Sequence, residues 1–347
     1  MVAHPKQARD SRFLIDYNIT TEKHVDVGRA RFLHGPCLLQ CHNGDWLCAY
    51  QDGRDDPGHG SFIRQKRSTD GGETWLDEGN IHDETETGIG CRNPAFGQTP
   101  DGKILMVVQR VGLRDLGKVQ GENITDSILL ISEDQGKTYI NKGRVDKNHE
   151  KGSQGCSTHL VYHNGKFFMP CFHPKGLVLY ISKDEGETWP QRIMMASKQE
   201  LKVTPTYPTL VVRPDGSFLL IAHLNLQVRC FGRISRDEGQ TWGDIFMYDD
   251  LPLRHGVLQY SDPDTLLCVG RQMEWWKPAF CVSPDHGESW CEPIDLLPQR
   301  GMGGGYTAVW PLQTGNGVFI AASTDGESLA AQDIVALKLE QITITQK

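Results

Sequence analysis

Short apolar runs alternate with turn residues along almost the whole chain. Residues 37–40 form one such run, a His-Asn-Gly turn follows, and residues 45–50 form a second run. Runs of this kind, separated by Asn-Gly or Asp-Gly turns, are typical of β-hairpins. The pattern predicts an all-β protein with almost no helix. Similar hairpins begin at Ala95, His159, Thr209, Val257 and Thr307.

An octet with the pattern Ser-x-Asp-x-Gly-x-Thr/Ser-aromatic occurs five times, about 54 residues apart. Its Asp side chain can accept backbone N–H groups in a tight turn, its Gly can adopt a positive φ, and its aromatic ring can pack on apolar surface. We therefore interpret the octet as structural. The spacing is that of a four-stranded propeller blade. The copies begin at Ser68, Ser132, Ser182, Ser235 and Ser283.

The last hairpin, which begins at Thr307, is followed by an apolar run from Asp333 but by no octet. We expect an N-terminal strand near Arg12 to complete this last blade, since closing the ring removes an open sheet edge. The spacing and the 347-residue length predict one domain, residues 1–347. The predicted fold is a six-bladed β-propeller of four-stranded antiparallel blades.

Composition narrows the classes of partner. The chain is 38% hydrophobic and 23% charged, as in folded globular proteins, and its net charge of −8 argues against a nucleic-acid partner. No apolar run approaches the ~20 residues that span a bilayer.

The N-terminal residues lack the apolar segment of a secretory signal, so we expect a cytoplasmic protein. The ten cysteines form no C-x-x-C pair, and we expect them to be mostly reduced.

The octets and hairpins resemble those of the sialidase superfamily, whose six-bladed propellers carry such octets as Asp boxes, or BNR repeats. The resemblance covers essentially the whole chain, which would then carry five Asp boxes. It implies an exo-acting glycoside hydrolase that releases a terminal acidic sugar, sialic acid or a related 2-keto-3-deoxy acid. The expected partner is an acidic carbohydrate.

The resemblance also implies catalytic residues. Sialidases place a general acid/base Asp about twelve residues before the first box serine, and Asp56 stands twelve residues before Ser68. Their nucleophilic tyrosine lies in a Gly-Tyr-Ser context, which the sequence around Tyr306 is similar to. A neutral phenol suits a substrate whose carboxylate would repel an anionic nucleophile. Arg271 matches one member of the family's arginine triad and is expected to bind that carboxylate.

Other positions depart from the sialidase pattern. His34 stands where the first triad arginine is expected, and His223 where the second is expected. Residues 204–208 contain no carboxylate where the family has a Glu that pairs with the tyrosine, so we expect His255 or His223 to activate Tyr306. First strands of all blades begin at one end of a propeller channel. The expected substrate-binding residues there are Arg54, Arg92, Arg254, Arg271, His34, His159, His223, His255 and Tyr207.

Two alternative functions fit the same residues. One is a uronate polysaccharide lyase that uses His and Tyr as base and acid, with arginines neutralising the carboxylate. The other is a carbohydrate-binding propeller without catalysis. The sequence contains neither an H-E-x-x-H motif nor a Gly-rich phosphate loop, so we expect no metal and no cofactor.

Overall fold

The computed structural model describes residues 6–9, 12–29, 31–54, 60–112, 124–146, 159–224, 229–272, 276–298, 305–325 and 332–346. Strands dominate these residues, which confirms the predicted all-β class. The described part also contains helix α1 (Lys198–Leu201) and a 3₁₀ turn (Thr85–Thr87). Neither is long and apolar enough to cross a membrane.

The two ends of the chain share one nine-stranded sheet. Within it, four consecutive strands that begin with Phe32–Gln40 form one antiparallel meander. Five other strands pair antiparallel in the order Thr307–Pro311, Gly317–Asp325, Gln332–Gln346, Phe13–Asp26 and Lys6–Arg9. A single parallel bridge between Gln332 and Phe32 joins the two groups. The strands are β1 (Lys6–Arg9), β2 (Phe13–Asp26), β3 (Phe32–Gln40), β4 (Trp46–Gly53), β5 (Phe62–Ser68), β6 (Leu76–His82), β23 (Thr307–Pro311), β24 (Gly317–Asp325) and β25 (Gln332–Gln346).

Four separate sheets lie between these ends, and each is an antiparallel meander of four consecutive strands. The first two contain β7 (Ile89–Gln98), β8 (Ile104–Gly112), β9 (Ile124–Ser132), β10 (Ile140–Arg144), β11 (Val161–His163), β12 (Lys166–His173), β13 (Gly176–Ser182) and β14 (Gln191–Ser197). The next two contain β15 (Pro205–Val212), β16 (Phe218–Leu224), β17 (Cys230–Ser235), β18 (Phe246–Tyr248), β19 (Leu253–Asp262), β20 (Thr265–Gln272), β21 (Pro278–Ser283) and β22 (Ile294–Asp295).

The described strands therefore form four separate blades rather than the predicted six. The reason is the Gln332–Phe32 bridge, which merges the segments predicted as the first and last blades into one sheet. The propeller of four-stranded antiparallel blades is confirmed.

The first strands surround a central channel. Strands β3, β7, β15, β19 and β23 contact their neighbours in chain order, with β11 between β7 and β15, and β23 also contacts β3. Apolar side chains fill the space between adjacent sheets; Leu47 and Met106, for example, belong to one buried cluster. Nine cysteines of the described residues are buried free thiols, and Cys156 lies outside those residues. Burial between sheets explains why successive strands read as continuous apolar runs.

The five octets form turns that share one hydrogen-bond pattern. In each, the Gly N–H donates to the Ser hydroxyl at 2.8 Å. The last Thr or Ser donates both its backbone N–H and its hydroxyl to the Asp carboxylate. These bonds lower the pKa of Asp70, with the Thr74 hydroxyl as the largest cause. At Gly72 (φ 96°), an added Cβ would lie 2.4 Å from the Phe319 ring. Chain reversal and close packing thus both require glycine there.

Candidate functional site

A β-bulge interrupts the start of four first strands. The register shifts after His34, Arg92, Thr206 and Arg254. The residue that follows each of them has a positive φ: Gly35 (54°), Asn93 (45°), Tyr207 (52°) and His255 (56°). Positive φ is unfavourable for non-glycine residues and is found at functional sites, where surrounding structure holds it in place. Bulges also redirect side chains beside active sites. The same device therefore shapes the channel mouth in four sheets.

Four aromatic side chains meet at this mouth, and we call them the His–Tyr cluster: His34, Tyr207, His255 and Tyr306. The Tyr306 ring centroid lies 3.9 Å from that of His34 and 4.2 Å from that of His255. The hydroxyls of Tyr207 and Tyr306 are 3.1 Å apart. The Tyr207 and His255 ring centroids are 3.5 Å apart. Strands β3, β15 and β19 and the residue preceding β23 thus each supply one ring.

Arg271 lies against this cluster. It is 7% exposed and stands opposite Arg254 in the β19–β20 register. Its guanidinium carbon is 5.4 Å from the Tyr306 ring centroid and 4.2 Å from that of Trp276, which is 50% exposed. Gly305 (φ 67°) leaves room for the arginine, because a Cβ there would lie 2.7 Å from Arg271 Cγ. A cation held between two aromatic rings is suited to bind a carboxylate that enters the mouth.

His255 is the electrostatically distinctive member of the cluster. It is 5% exposed, and neither ring nitrogen has a hydrogen-bond partner among the described residues. Burial, reinforced by the positive charges of Arg271 and Arg254, holds the pKa of His255 well below its usual range. The imidazole is therefore neutral near pH 7 and has a nitrogen that can accept a proton.

Polar partners orient His34, which belongs to the cluster, and His223, which lies on β16. His34 Nδ1 lies 3.0 Å from the amide oxygen of Gln332, a contact that places the proton on Nδ1. His223 Nδ1 lies 3.3 Å from the Thr206 hydroxyl. Both histidines are 3% exposed. Each ring is thus oriented within the wall of the site.

The remaining candidates lie in different places. His159 lines a small cavity with Cys37 and Thr307, and burial lowers the pKa of His159 to about 4. Arg92 is buried, and its Nε donates to the Gln109 amide oxygen at 3.3 Å. Arg54 is exposed just after β4. Asp56 lies outside the described residues. The structure therefore brings together Tyr306, Tyr207, His34, His255, Arg271 and Arg254.

Sequence reasoning missed several polar residues of the site wall. Gln109 and Gln332 contact Arg92 and His34, and Asn93 Nδ2 donates to Gln109 at 3.1 Å. The position of Gln109 could have been predicted from the hairpin register. Gln109 pairs with Arg92 across β7 and β8, as His223 pairs with Thr206 across β15 and β16. The position of Gln332 could not be predicted from a hairpin, because Gln332 reaches β3 only when the two ends of the chain pair.

His82, Glu84 and Cys91 bring possible metal-ligand atoms within 4.8 Å of one another. The Glu84 carboxylate accepts hydrogen bonds from the Arg110 guanidinium, at 2.5 and 3.1 Å, and contacts His82 at 2.6 Å. Burial raises the pKa of Cys91 to about 12, so its thiol keeps its proton. In this arrangement Glu84 is held by Arg110 and His82 as an ion-pair cluster.

The propeller belongs to the sialidase-like BNR class, as the sequence resemblance predicted. Residues 44–320, well over half of the chain, match the BNR repeat-like domain, and the chain belongs to that family. No curated relative matches the chain.

Solved structures share the fold at low identity. A Dyadobacter fermentans protein of unknown function is 17% identical, with a TM-score of 0.77, covering 93% of this chain and 99% of its own. The α-L-arabinanase of Penicillium chrysogenum, complexed with arabinobiose, is 16% identical with a TM-score of 0.68, covering 92% and 98%. The Hadza microbial sialidase Hz136 is 18% identical with a TM-score of 0.70, covering 92% and 68%. At these identities the similarity establishes the fold alone.

Proposed function

We propose that this protein is a glycoside hydrolase that releases a terminal acidic sugar from a glycan. The observation that carries the proposal is the placement of the Tyr306 phenol, with its hydroxyl 3.1 Å from that of Tyr207 and its ring beside His255 and Arg271. A carbohydrate as the substrate is also supported by the glycoside hydrolases among the structures that share the fold.

Arg271 selects the acidic sugar in this proposal. Its guanidinium offers a planar pair of donors to a carboxylate, and burial against Tyr306 and Trp276 strengthens a charge-assisted hydrogen bond. Arg254, in register beside it, adds positive charge. The carboxylate of a 2-keto-3-deoxy acid would then lie next to its anomeric carbon and close to the phenol.

The chemical step uses Tyr306 as nucleophile. His255, neutral and packed against Tyr306, accepts the phenolic proton as the oxygen bonds to the anomeric carbon. The leaving oxygen takes a proton from a general acid, the role proposed for Asp56. Water then releases the sugar from tyrosine, and the phenol regains its proton.

A uronate lyase is the second candidate, because the ring nitrogens of His255 have no hydrogen-bond partner among the described residues and the ring lies beside Tyr306. The buried neutral imidazole can remove the proton on the carbon next to the uronate carboxylate, while Arg271 stabilises the resulting enolate. The electron pair forms a carbon–carbon double bond as the glycosidic oxygen leaves, and that oxygen takes the Tyr306 proton. The product is an unsaturated, ultraviolet-absorbing sugar.

For the architecture, we infer that the nine-stranded sheet corresponds to two blades. It contains two antiparallel groups held together by one bridge, and six first strands surround the channel. The propeller would then have six blades, with the five octet turns as its Asp boxes.

A substrate panel tests the function. Purified protein is incubated with fluorogenic sialosides, uronides and arabinosides, and in parallel with uronate polysaccharides under absorbance detection, with Tyr306→Phe as the control variant. Release from a sialoside by the wild type, but not by Tyr306→Phe, supports the hydrolase. Absorbance from a polysaccharide with no sialoside release supports the lyase and overturns hydrolysis. Glycan binding without turnover identifies a binding propeller, and arabinoside release alone rejects the acidic substrate.

A further inference from the structure

A separate cavity of about 580 Å³ is lined by none of the residues of the His–Tyr cluster. It lies between the turn that follows β12 and helix α1 with its flanking residues. Three lysines line it, together with apolar side chains of a proline and a methionine. These residues are Lys175, Lys198, Lys202, Pro174 and Met194.

The cavity is electropositive in a chain whose net charge is −8. None of the three lysines forms an ion pair with a carboxylate among the described residues. The acidic residue of α1, Glu200, pairs with Arg233 at 3.2 Å. All three lysines are exposed. Nothing within the described part of the chain therefore neutralises their charge.

A short segment of the chain connects the lining of this cavity to the His–Tyr cluster. The Phe172 ring centroid lies 5.1 Å from that of Tyr207, and Pro174 follows two residues later, at most about 7 Å along the chain. On the other side, Leu201 and Val203 pack against the same buried cluster as Tyr207. Residues that adjoin the cavity on two sides thus also pack beside Tyr207.

We propose that this cavity is an outer subsite for a carboxylate-bearing sugar residue of the glycan, beyond the bond that the protein cleaves. The inference rests on the proposed carbohydrate function and specifies its substrate as an acidic oligosaccharide. Lysine ammonium groups bind carboxylates as point charges, without the fixed geometry that arginine imposes. Pro174 and Met194, which is 40% exposed, offer apolar surface to the sugar ring.

The test compares two variants with the same loss of charge. One is Lys175→Gln/Lys198→Gln/Lys202→Gln. The control is Lys137→Gln/Lys183→Gln/Arg236→Gln, in which three exposed cations are removed from octet turns at the far ends of the blades. Binding of tetragalacturonate and of α-2,8-linked tetrasialic acid is measured by calorimetry in the Tyr306→Phe background. Turnover of the matching single-sugar glycosides is measured with Tyr306 present.

We expect the cavity variant to bind one of the tetrasaccharides about tenfold more weakly than the control, with the difference shrinking at high salt. Turnover of single-sugar glycosides should be equal in the two variants. Equal tetrasaccharide affinity in both variants, or no binding by either, would overturn the subsite. The cleavage proposal can fail separately. If neither variant with Tyr306 present turns over a glycoside, but tetrasaccharide binding still depends on the three lysines, cleavage is rejected and the subsite is supported.

Discussion

The phenolic oxygens of Tyr207 and Tyr306 lie 3.1 Å apart, although 99 positions separate the two residues in the sequence. Tyr207 reaches this position through a bulge with φ 52°, and its ring packs 3.5 Å from that of His255. The hydrogen bond connects the sheet of β15 to the sheet of β23 at the channel mouth. It places Tyr207 where it can orient the Tyr306 hydroxyl, the proposed nucleophile.

Replacing Tyr306 with Phe should abolish most turnover while leaving the fold intact. The ring contacts with His34 and His255 remain, but the hydroxyl proposed as nucleophile is lost. We expect kcat to fall by at least about 10²–10⁴, the typical contribution of a proton-transfer group, because a nucleophile contributes more. Steady-state kinetics and thermal unfolding measure the two effects. Tyr207→Phe, which keeps Tyr306, should reduce kcat less; an active Tyr306→Phe protein would contradict the assignment.

Gly305→Ala should disturb Arg271. The new Cβ would lie within 2.7–3.0 Å of three Arg271 side-chain atoms, so the guanidinium must move. Gly315→Ala is the matched control, because Gly315 also has a positive φ (80°) but has nothing within 4 Å of its Cβ position. Both variants should lose about 1 kcal/mol or more of stability. Only Gly305→Ala should also raise KM for an acidic substrate; equal KM values would show that Arg271 does not bind it.

Removing the guanidinium itself tests charge recognition. Arg271→Met keeps an apolar side chain beside Trp276 and Tyr306 but loses the donors. We expect kcat/KM for an acidic glycoside to fall roughly 10–150-fold, which corresponds to a loss of about 1.5–3 kcal/mol of transition-state stabilisation. A neutral glycoside of the same shape should be affected far less. The ratio of the two kcat/KM values is the measurement, and an unchanged ratio would exclude carboxylate binding by Arg271.

His255 should make stability depend on pH. Its folded-state pKa lies below the usual 6.5, so the unfolded chain binds a proton that the folded chain rejects. Above pH 6.5 the imidazole is neutral in both states, so it does not reduce the free energy of unfolding. As the pH falls below 6.5, the free energy of unfolding decreases by about 1.4 kcal/mol per pH unit. Urea unfolding of wild type and His255→Gln between about pH 7 and pH 5.5 measures it. Parallel pH profiles for the two proteins would contradict the prediction.

Asp285→Ala should destabilise the fold without touching the site. The carboxylate of this half-buried residue accepts hydrogen bonds from the Ser283 and Ser289 hydroxyls and from backbone N–H groups. Its loss leaves those donors without their acceptor, and we expect a decrease of about 1–3 kcal/mol in the free energy of unfolding. Denaturant unfolding checks this value, while substrate KM should be unchanged. A KM increase would mean that the turn communicates with the channel mouth.

Local chemistry made part of the fold predictable. The octet turns form within eight residues, because each Asp accepts from the backbone four positions later, as in Asp134 and Thr138. Alternating apolar runs and Gly turns likewise predicted the hairpins. Tyr306 and Arg271 were identified as candidates from short motifs, and the structure places them side by side.

Tertiary structure alone decided the rest. The contact of His34 with Gln332 spans 298 positions, and the Gln332–Phe32 bridge that merges the end strands depends on ring closure. Bulges at Tyr207 and His255 changed which side chains meet, because one inserted residue reverses the facing of a strand. The sequence by itself thus determined the hairpins and the turns, which depend on near neighbours, and it named Tyr306 and Arg271 as candidates. Their assembly into one cluster depends on strand register and closure, which no local pattern encodes.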